Sequence, residues 1–205
     1  MAIPLPTIPA GFRLIAADPA TTFVAGVKGR PQHYARMTDL EIAALPVREI
    51  AAADCWLMLW ATSCKTFRPV GSKTRLRPDE IAEAWGFRYS GRAFIWIKTH
   101  RRFAKGADPL FIHKTSIHLG QGFTTRKNAE DVWLFRRGKP PRLSRSVNEV
   151  IIAPLREHSR KPDEFYDRAV QFAGDVPRLE MFARQSRPGW MTWGLESTLF
   201  DGDAA

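Results

Sequence analysis

Along nearly the whole chain, short apolar runs with strand character alternate with segments of helical period, and that alternation confines the protein to α/β architectures. Residues 12 to 17 read as a buried strand that ends at Asp18-Pro19, where proline removes a donor and turns the chain out of a ladder. Thr38 then caps a short helix over 40 to 45, with Glu41 placed for a capping box and Pro46 as its stop. Residues 55 to 62 are apolar enough for a central strand. Pro78-Asp79-Glu80 opens a helix to Trp85, with Gly86 at its carboxyl side. Strands follow at 94 to 99, 131 to 135 and 147 to 153. A helix from Pro162 through about Phe172 and a sixth strand at 178 to 184 complete a doubly wound sheet. Two stretches interrupt the alternation, 65 to 77 and 100 to 125. Both are basic and rich in Gly and Pro, and they read as long, mobile, functional loops on a single domain of 205 residues.

Charge narrows the partners. Of a net charge of +10, residues 1 to 97 carry +4, residues 98 to 149 carry +8 and residues 150 to 205 carry −2. The middle segment interleaves its cations with Phe103, Phe111, Phe123 and Trp133, a mixture suited to a polyanion with exposed bases, since cations hold phosphates and rings stack on bases. No apolar run approaches the roughly 20 residues of a membrane span. The stretch from Met1 to Phe12 lacks the basic start and long apolar core of a signal peptide, so a cytoplasmic location is expected. Cys55 and Cys64 are too few for a disulfide framework or a cysteine-based zinc site, and no metal is expected.

Three groups of residues carry chemistry. Asp18-Pro19 falls at the carboxyl end of the first strand, where open α/β sheets bind ligands, although Asp-Pro also opens ordinary turns. Residues 156 to 164 hold six charges in nine positions. A helix start explains Pro162, Asp163 and Glu164, but not His158, Ser159 and the cations before them. Finally, charges bracket an apolar strand core at 178 to 184, and an aromatic-rich edge follows at 189 to 194. Neither a dinucleotide-binding glycine fingerprint nor a phosphate-binding P-loop is present, which excludes the usual NAD dehydrogenases and P-loop NTPases.

Read in order, AlaAspProAla (17 to 20), LeuTrpAlaThr (59 to 62), TrpIleLysThr (96 to 99), ThrArgLysAsnAlaGlu (125 to 130), HisSerArgLysProAspGlu (158 to 164), LeuGluMetPheAlaArg (179 to 184) and GlyTrpMetThrTrpGly (189 to 194) resemble the MT-A70-like family of adenine N(6)-methyltransferases over nearly the whole chain. The resemblance implies a class I, Rossmann-like methyltransferase fold in permuted order, catalytic strand first and cofactor strand late. It implies S-adenosylmethionine as cofactor and adenine in DNA as substrate, in the manner of compact bacterial and phage members acting as monomer or homodimer. By resemblance, Asp18 and Pro19 bind the target amine within a catalytic motif that continues through Ala20 and Thr21. Asp18, Asn128, Phe182, Arg184, Ser186, Leu195 and Glu196 fall at cofactor positions. Tyr34, Lys98, Arg126, Glu130, His158, Ser159 and Lys161 fall at substrate positions.

The sequence departs from the family at three of these residues. Ala20 stands where a second proline is usual and Thr21 where an aromatic ring stacks on the target base, an interaction of about 1–3 kcal/mol. Leu195 replaces an asparagine, removing a hydrogen bond worth about 0.5–1.5 kcal/mol. None of the three removes Asp18, so an active enzyme is the expectation. A non-catalytic nucleic-acid-binding or partner subunit of a methyltransferase and an RNA adenine methyltransferase are the alternatives.

Overall fold

The computed structural model describes residues 3–19, 37–61, 76–101, 116–120, 125–157 and 160–202. Its elements run β1 (Phe12–Ala17), α1 (Asp39–Ala43), α2 (Val47–Ile50), β2 (Ala51–Ala61), α3 (Pro78–Ala84), β3 (Arg88–Thr99), β4 (Ala129–Arg137), β5 (Val150–Pro154), α4 (Asp163–Ala173), β6 (Arg178–Met181) and β7 (Met191–Trp193). The strands form a seven-stranded sheet in the order β5-β3-β4-β2-β1-β6-β7, a Rossmann-like arrangement with the Asp18 strand first in the chain. The described chain divides into two compact units, one of residues 1–91, 133–140 and 176–205 and the other of 92–132 and 141–175.

In the first unit, β1 pairs in parallel with β2 on one side and β6 on the other, and β6 pairs in parallel with β7. Leu14, Ile15, Ala16 and Ala17 are all buried, as a central parallel strand requires. One core cluster joins Phe12, Ile15 and Ala17 to Leu57 and Leu59 of β2, Leu179 and Met181 of β6, and Ile42, Ile81 and Trp85 from the helical side. The Trp85 indole N–H donates to Ile42 O at 3.0 Å, so this large ring is buried with its polar atom satisfied. Thr38 forms the expected capping box with Glu41: Glu41 N–H donates to Thr38 Oγ1 at 3.2 Å, and Thr38 N–H donates to Glu41 Oε2 at 2.7 Å.

In the second unit, β3 pairs in parallel with β5 from Ile95 opposite Val150 to Thr99 opposite Pro154. The Trp96 indole N–H donates to Ala153 O at 2.9 Å, and Phe165 of α4 meets the Phe94 ring edge-on at 5.8 Å. The residue before β4 lies at the end of β3, since Lys98 N–H donates to Asn128 O. At its other end, β4 lies at the start of β2, where the Arg137 guanidinium donates to Ala51 O. Thus β4 runs against both neighbours, and the sheet is mixed.

Several boundaries differ from the sequence expectation. β2 begins at Ala51 rather than 55 and β3 at Arg88 rather than 94, because alanine-rich and polar ends carry no apolar alternation to mark them. β5 starts at Val150, three residues later than expected. Pro46 does stop α1, but Val47–Ile50 forms a further helical turn. β6 ends at Met181 rather than 184 because Phe182 takes a left-handed φ of 62°, which turns the chain out of the ladder. The aromatic edge at 189 to 194 contains a seventh strand, β7.

Candidate active site

The chain passes from β1 to β2 on one side and from β6 to β7 on the other, so the strand order reverses between β1 and β6. A reversal of this kind leaves a crevice beyond the carboxyl ends of the two strands, the usual ligand position in open α/β sheets. Ala17 pairs with Met181, so the next residues of both strands, Asp18 and Phe182, emerge side by side. Asp18 N–H donates to Met181 O at 3.4 Å. Asp18 and Pro19 are half-buried there.

Phe182 is fixed from behind. Its ring meets Trp193 edge-on, with centroids 5.3 Å apart, and the Trp193 indole N–H donates to Pro4 O at 3.0 Å. Ala183 N–H donates to Trp193 O, and Gly194 follows with φ 157°; a Cβ there would stand 3.0 Å from Ala183 N and O. Glycine therefore allows the two chain segments to approach closely. Arg184 Nε lies 3.0 Å from Glu196 Oε2, and its guanidinium stacks 5.0 Å from the Phe200 ring. Ser186 N–H donates to Asp201 Oδ1 at 2.6 Å. Among the sequence-expected cofactor residues, Asp18, Phe182, Arg184, Ser186, Leu195 and Glu196 thus fall within one unit, with Leu195 70% exposed. Trp193, Gly194, Phe200 and Asp201 support them. GlyTrpMetThrTrpGly pointed to Trp193 and Gly194, while nothing in the sequence marked Phe200 or Asp201.

The second unit gathers Lys98, Glu130 and Lys161. Glu130 Oε1 accepts from Lys98 Nζ at 2.5 Å and Oε2 from Lys161 Nζ at 2.8 Å, and Lys161 is only 9% exposed. Burial pushes the Glu130 carboxyl up, but the Lys161 and Lys98 charges outweigh it and bring the pKa down to about 2. Lys98 and Lys161 therefore share one carboxylate, and Lys98 Nζ also stands 4.9 Å over the Trp96 ring. Asn128 enters through its main-chain carbonyl, and Arg126 is exposed. His100 and His118 meet edge-on at 5.5 Å across the Thr99–Ile117 bridge. Burial, then His100 and Lys98, hold His118 below the usual imidazole range. Ala20, Thr21, Tyr34, His158 and Ser159 lie outside the described residues, as do most of the two expected loops. Among the described residues, no group of three His, Cys, Asp or Glu could hold a metal ion, and no helix is long and apolar enough to cross a membrane.

The MT-A70 family model matches residues 12–196. The chain is 30% identical over 165 residues to the type II methyltransferase M.MunI of a Mycoplasma species, covering 80% of this chain and 59% of that protein. It is 28% identical to the Arabidopsis thaliana N(6)-adenosine-methyltransferase MT-A70-like protein, over 78% of this chain and 21% of the relative. It is 26% identical to the human N(6)-adenosine-methyltransferase catalytic subunit METTL3, over 78% of this chain and 25% of the relative. The chain thus spans about three fifths of the M.MunI length and about a quarter or less of the other two. A match over nearly the entire chain, on a fold that brings Asp18 beside Phe182, makes this protein a member of the MT-A70 family of S-adenosylmethionine-dependent methyltransferases.

Proposed function

We propose that the chain transfers a methyl group from S-adenosylmethionine to the exocyclic N(6) amine of adenine in DNA. The observation that carries this reading is Asp18 and Phe182 emerging together beyond the two strands that flank the reversal. The residues there fit the cofactor by their chemistry. An aromatic ring held edge-on by Trp193 can present a face to a purine, and the Arg184–Glu196 pair offers polar atoms to ribose hydroxyls. When bound, S-adenosylmethionine supplies an electrophilic methyl group.

The protein's task is to make a poor nucleophile attack in line. The amine lone pair of adenine is delocalised into the ring. With the Asp18 carboxylate and the Pro19 carbonyl accepting its two N–H bonds, the lone pair is localised and aimed; as the methyl group passes from sulfur to nitrogen, the positive charge on nitrogen would meet a fixed anion until one N–H proton is lost to Asp18 or to water. Lys98, Glu130 and Lys161 serve substrate binding in this reading.

Support for DNA comes from the likeness to a type II methyltransferase and from the basic segment 98 to 149. RNA is the second reading, favoured by relatives named as N(6)-adenosine-methyltransferases. A non-catalytic partner subunit is the third, favoured by Ala20, Thr21 and an exposed Leu195 that has no amide to offer a ribose. One assay separates them: the protein, the cofactor, and DNA and RNA oligomers of one sequence together, with nucleosides analysed by mass. Methylated deoxyadenosine is expected. Methylated adenosine alone would assign RNA, and no product together with no cofactor binding by calorimetry would assign the partner role.

A further inference from the structure

We infer that His100, Arg101 and His118 form a seat for one backbone phosphate of the nucleic-acid substrate, in the cleft beyond the carboxyl ends of β3 and β5. Its ligand rests on the proposed nucleic-acid substrate, DNA or RNA, which share the phosphodiester. All residues of the seat belong to the second unit. β3 and β5 run in parallel as far as the pair Thr99 and Pro154, and Leu155 N–H then donates to Thr99 O at 2.9 Å. On the other side of β3, Thr99 forms an antiparallel bridge with Ile117. His118 N–H donates to Lys98 O at 2.8 Å and His100 N–H to Ser116 O at 3.0 Å, so Lys98 lies opposite His118. Residues two apart on a strand share a face, which puts Lys98, His100 and the diagonal His118 together. The two imidazole rings meet at 5.5 Å.

His100, Arg101, His118 and Leu155 line a cleft of about 420 Å³, room for a phosphate with its adjoining sugars. The exposed Arg101 donates to Arg156 O, and its guanidinium has further N–H donors to offer an anion. Each neutral imidazole carries one N–H donor as well, and a tetrahedral oxyanion can accept from all three side chains. The acidic groups of neighbouring elements are already matched. Glu130 of β4 accepts from Lys98 and Lys161, Asp163 of α4 accepts from Arg156, and Glu157, which lies in the field of Arg101, accepts from Arg160 at 3.0 Å. Among the described residues, no carboxylate lines the cleft and none forms an ion pair with Arg101. Burial, His100 and Lys98 hold His118 below the usual imidazole range, so it is neutral at neutral pH. A bound phosphodiester keeps its single negative charge throughout this range, offsets Lys98 and draws a proton onto His118. The affinity gained this way is fully present below the midpoint of free His118 and is lost as pH rises through the midpoint of the bound form.

The test follows the histidine ring signals of the wild-type protein by NMR from about pH 5.5 to about pH 8, with and without a single-stranded DNA of about ten nucleotides. The His118 midpoint is expected to rise by about one pH unit with DNA bound. In fluorescence anisotropy over the same range, wild type should tighten on the DNA about three- to tenfold more than H118Q, whose amide keeps N–H donors but takes no proton. Tightening shared with H118Q belongs to the other histidines. R101Q should bind about tenfold more weakly at every pH, since a guanidinium does not titrate in this range. The NMR titration needs no substitution and decides the matter even where a variant fails to fold. A His118 midpoint unmoved by bound DNA, or an H118Q protein with the wild-type pH dependence, would overturn the seat. Movement with inorganic phosphate but not with DNA would assign the cleft to a free anion and overturn the backbone assignment. Methyl transfer to the same DNA is measured alongside: transfer with His118 unmoved keeps the substrate reading and removes the seat, whereas movement without transfer keeps the seat and removes the transfer reading.

Discussion

At the scale of single residues, the main determinant is how backbone pairing aims side chains. Asp18 is placed by its own N–H bonding to Met181 O, and Phe182 by a left-handed turn that breaks β6. The Asp-Pro pair and LeuGluMetPheAlaArg were legible in sequence as family motifs, but their adjacency was not, because it depends on a pairing between residues about 160 positions apart. Glu130 yields the sharpest residue-level prediction. Its folded pKa of about 2 lies below an ordinary 4.5, so its stabilising contribution is fully present above about pH 4.5 and is lost as pH falls towards 2. That contribution is on the order of 3 kcal/mol. Glu130→Gln removes the carboxylate that Lys98 and Lys161 share and is expected to cost about 3–5 kcal/mol in denaturant unfolding at neutral pH. The variant's stability should also fall less steeply than wild type's between pH 4.5 and 2. A loss under about 1 kcal/mol would show that water, not Glu130, solvates the lysines.

At the scale of elements, local signals were read well wherever a cap or a proline stated them. Thr38 and Glu41 form the capping box their spacing specified, and Pro78 opens α3. Thr38→Ala should therefore destabilise the protein by about 1 kcal/mol, lowering Tm by about 2–4 °C in a thermal scan. A Tm unchanged within error would mean that tertiary packing alone holds α1. Signals failed where strands begin in polar or alanine-rich sequence, as β2 and β3 do. They failed also at β7, three residues long and better marked by its aromatics than by alternation. The placement of β4 between β3 and β2 was not legible at all. Its antiparallel pairing is made with strands distant in sequence, and no turn dipeptide announces it.

For the whole molecule, the uneven charge is the feature that composition reported most directly. A chain with +8 in residues 98 to 149 should bind nucleic acid with a steep salt dependence, losing at least tenfold in affinity between about 50 and 200 mM salt. Affinity flat across that range would point to a partner other than a polyanion. Fold class was legible because both the alternation of elements and the motif order pointed to it. The choice between DNA and RNA was not, since it turns on contacts to a 2′-hydroxyl that no residue type announces.

The central claim is that Asp18 holds the amine that receives the methyl group. It is tested most directly by transfer of labelled methyl from S-adenosylmethionine to unmethylated DNA, comparing wild type with Asp18→Ala and measuring cofactor affinity in the same preparations. The account predicts labelled N(6)-methyladenine from wild type and a loss of about a hundredfold or more in the variant, with cofactor affinity changed only a fewfold. A variant that binds the cofactor and methylates DNA at the wild-type rate would contradict it.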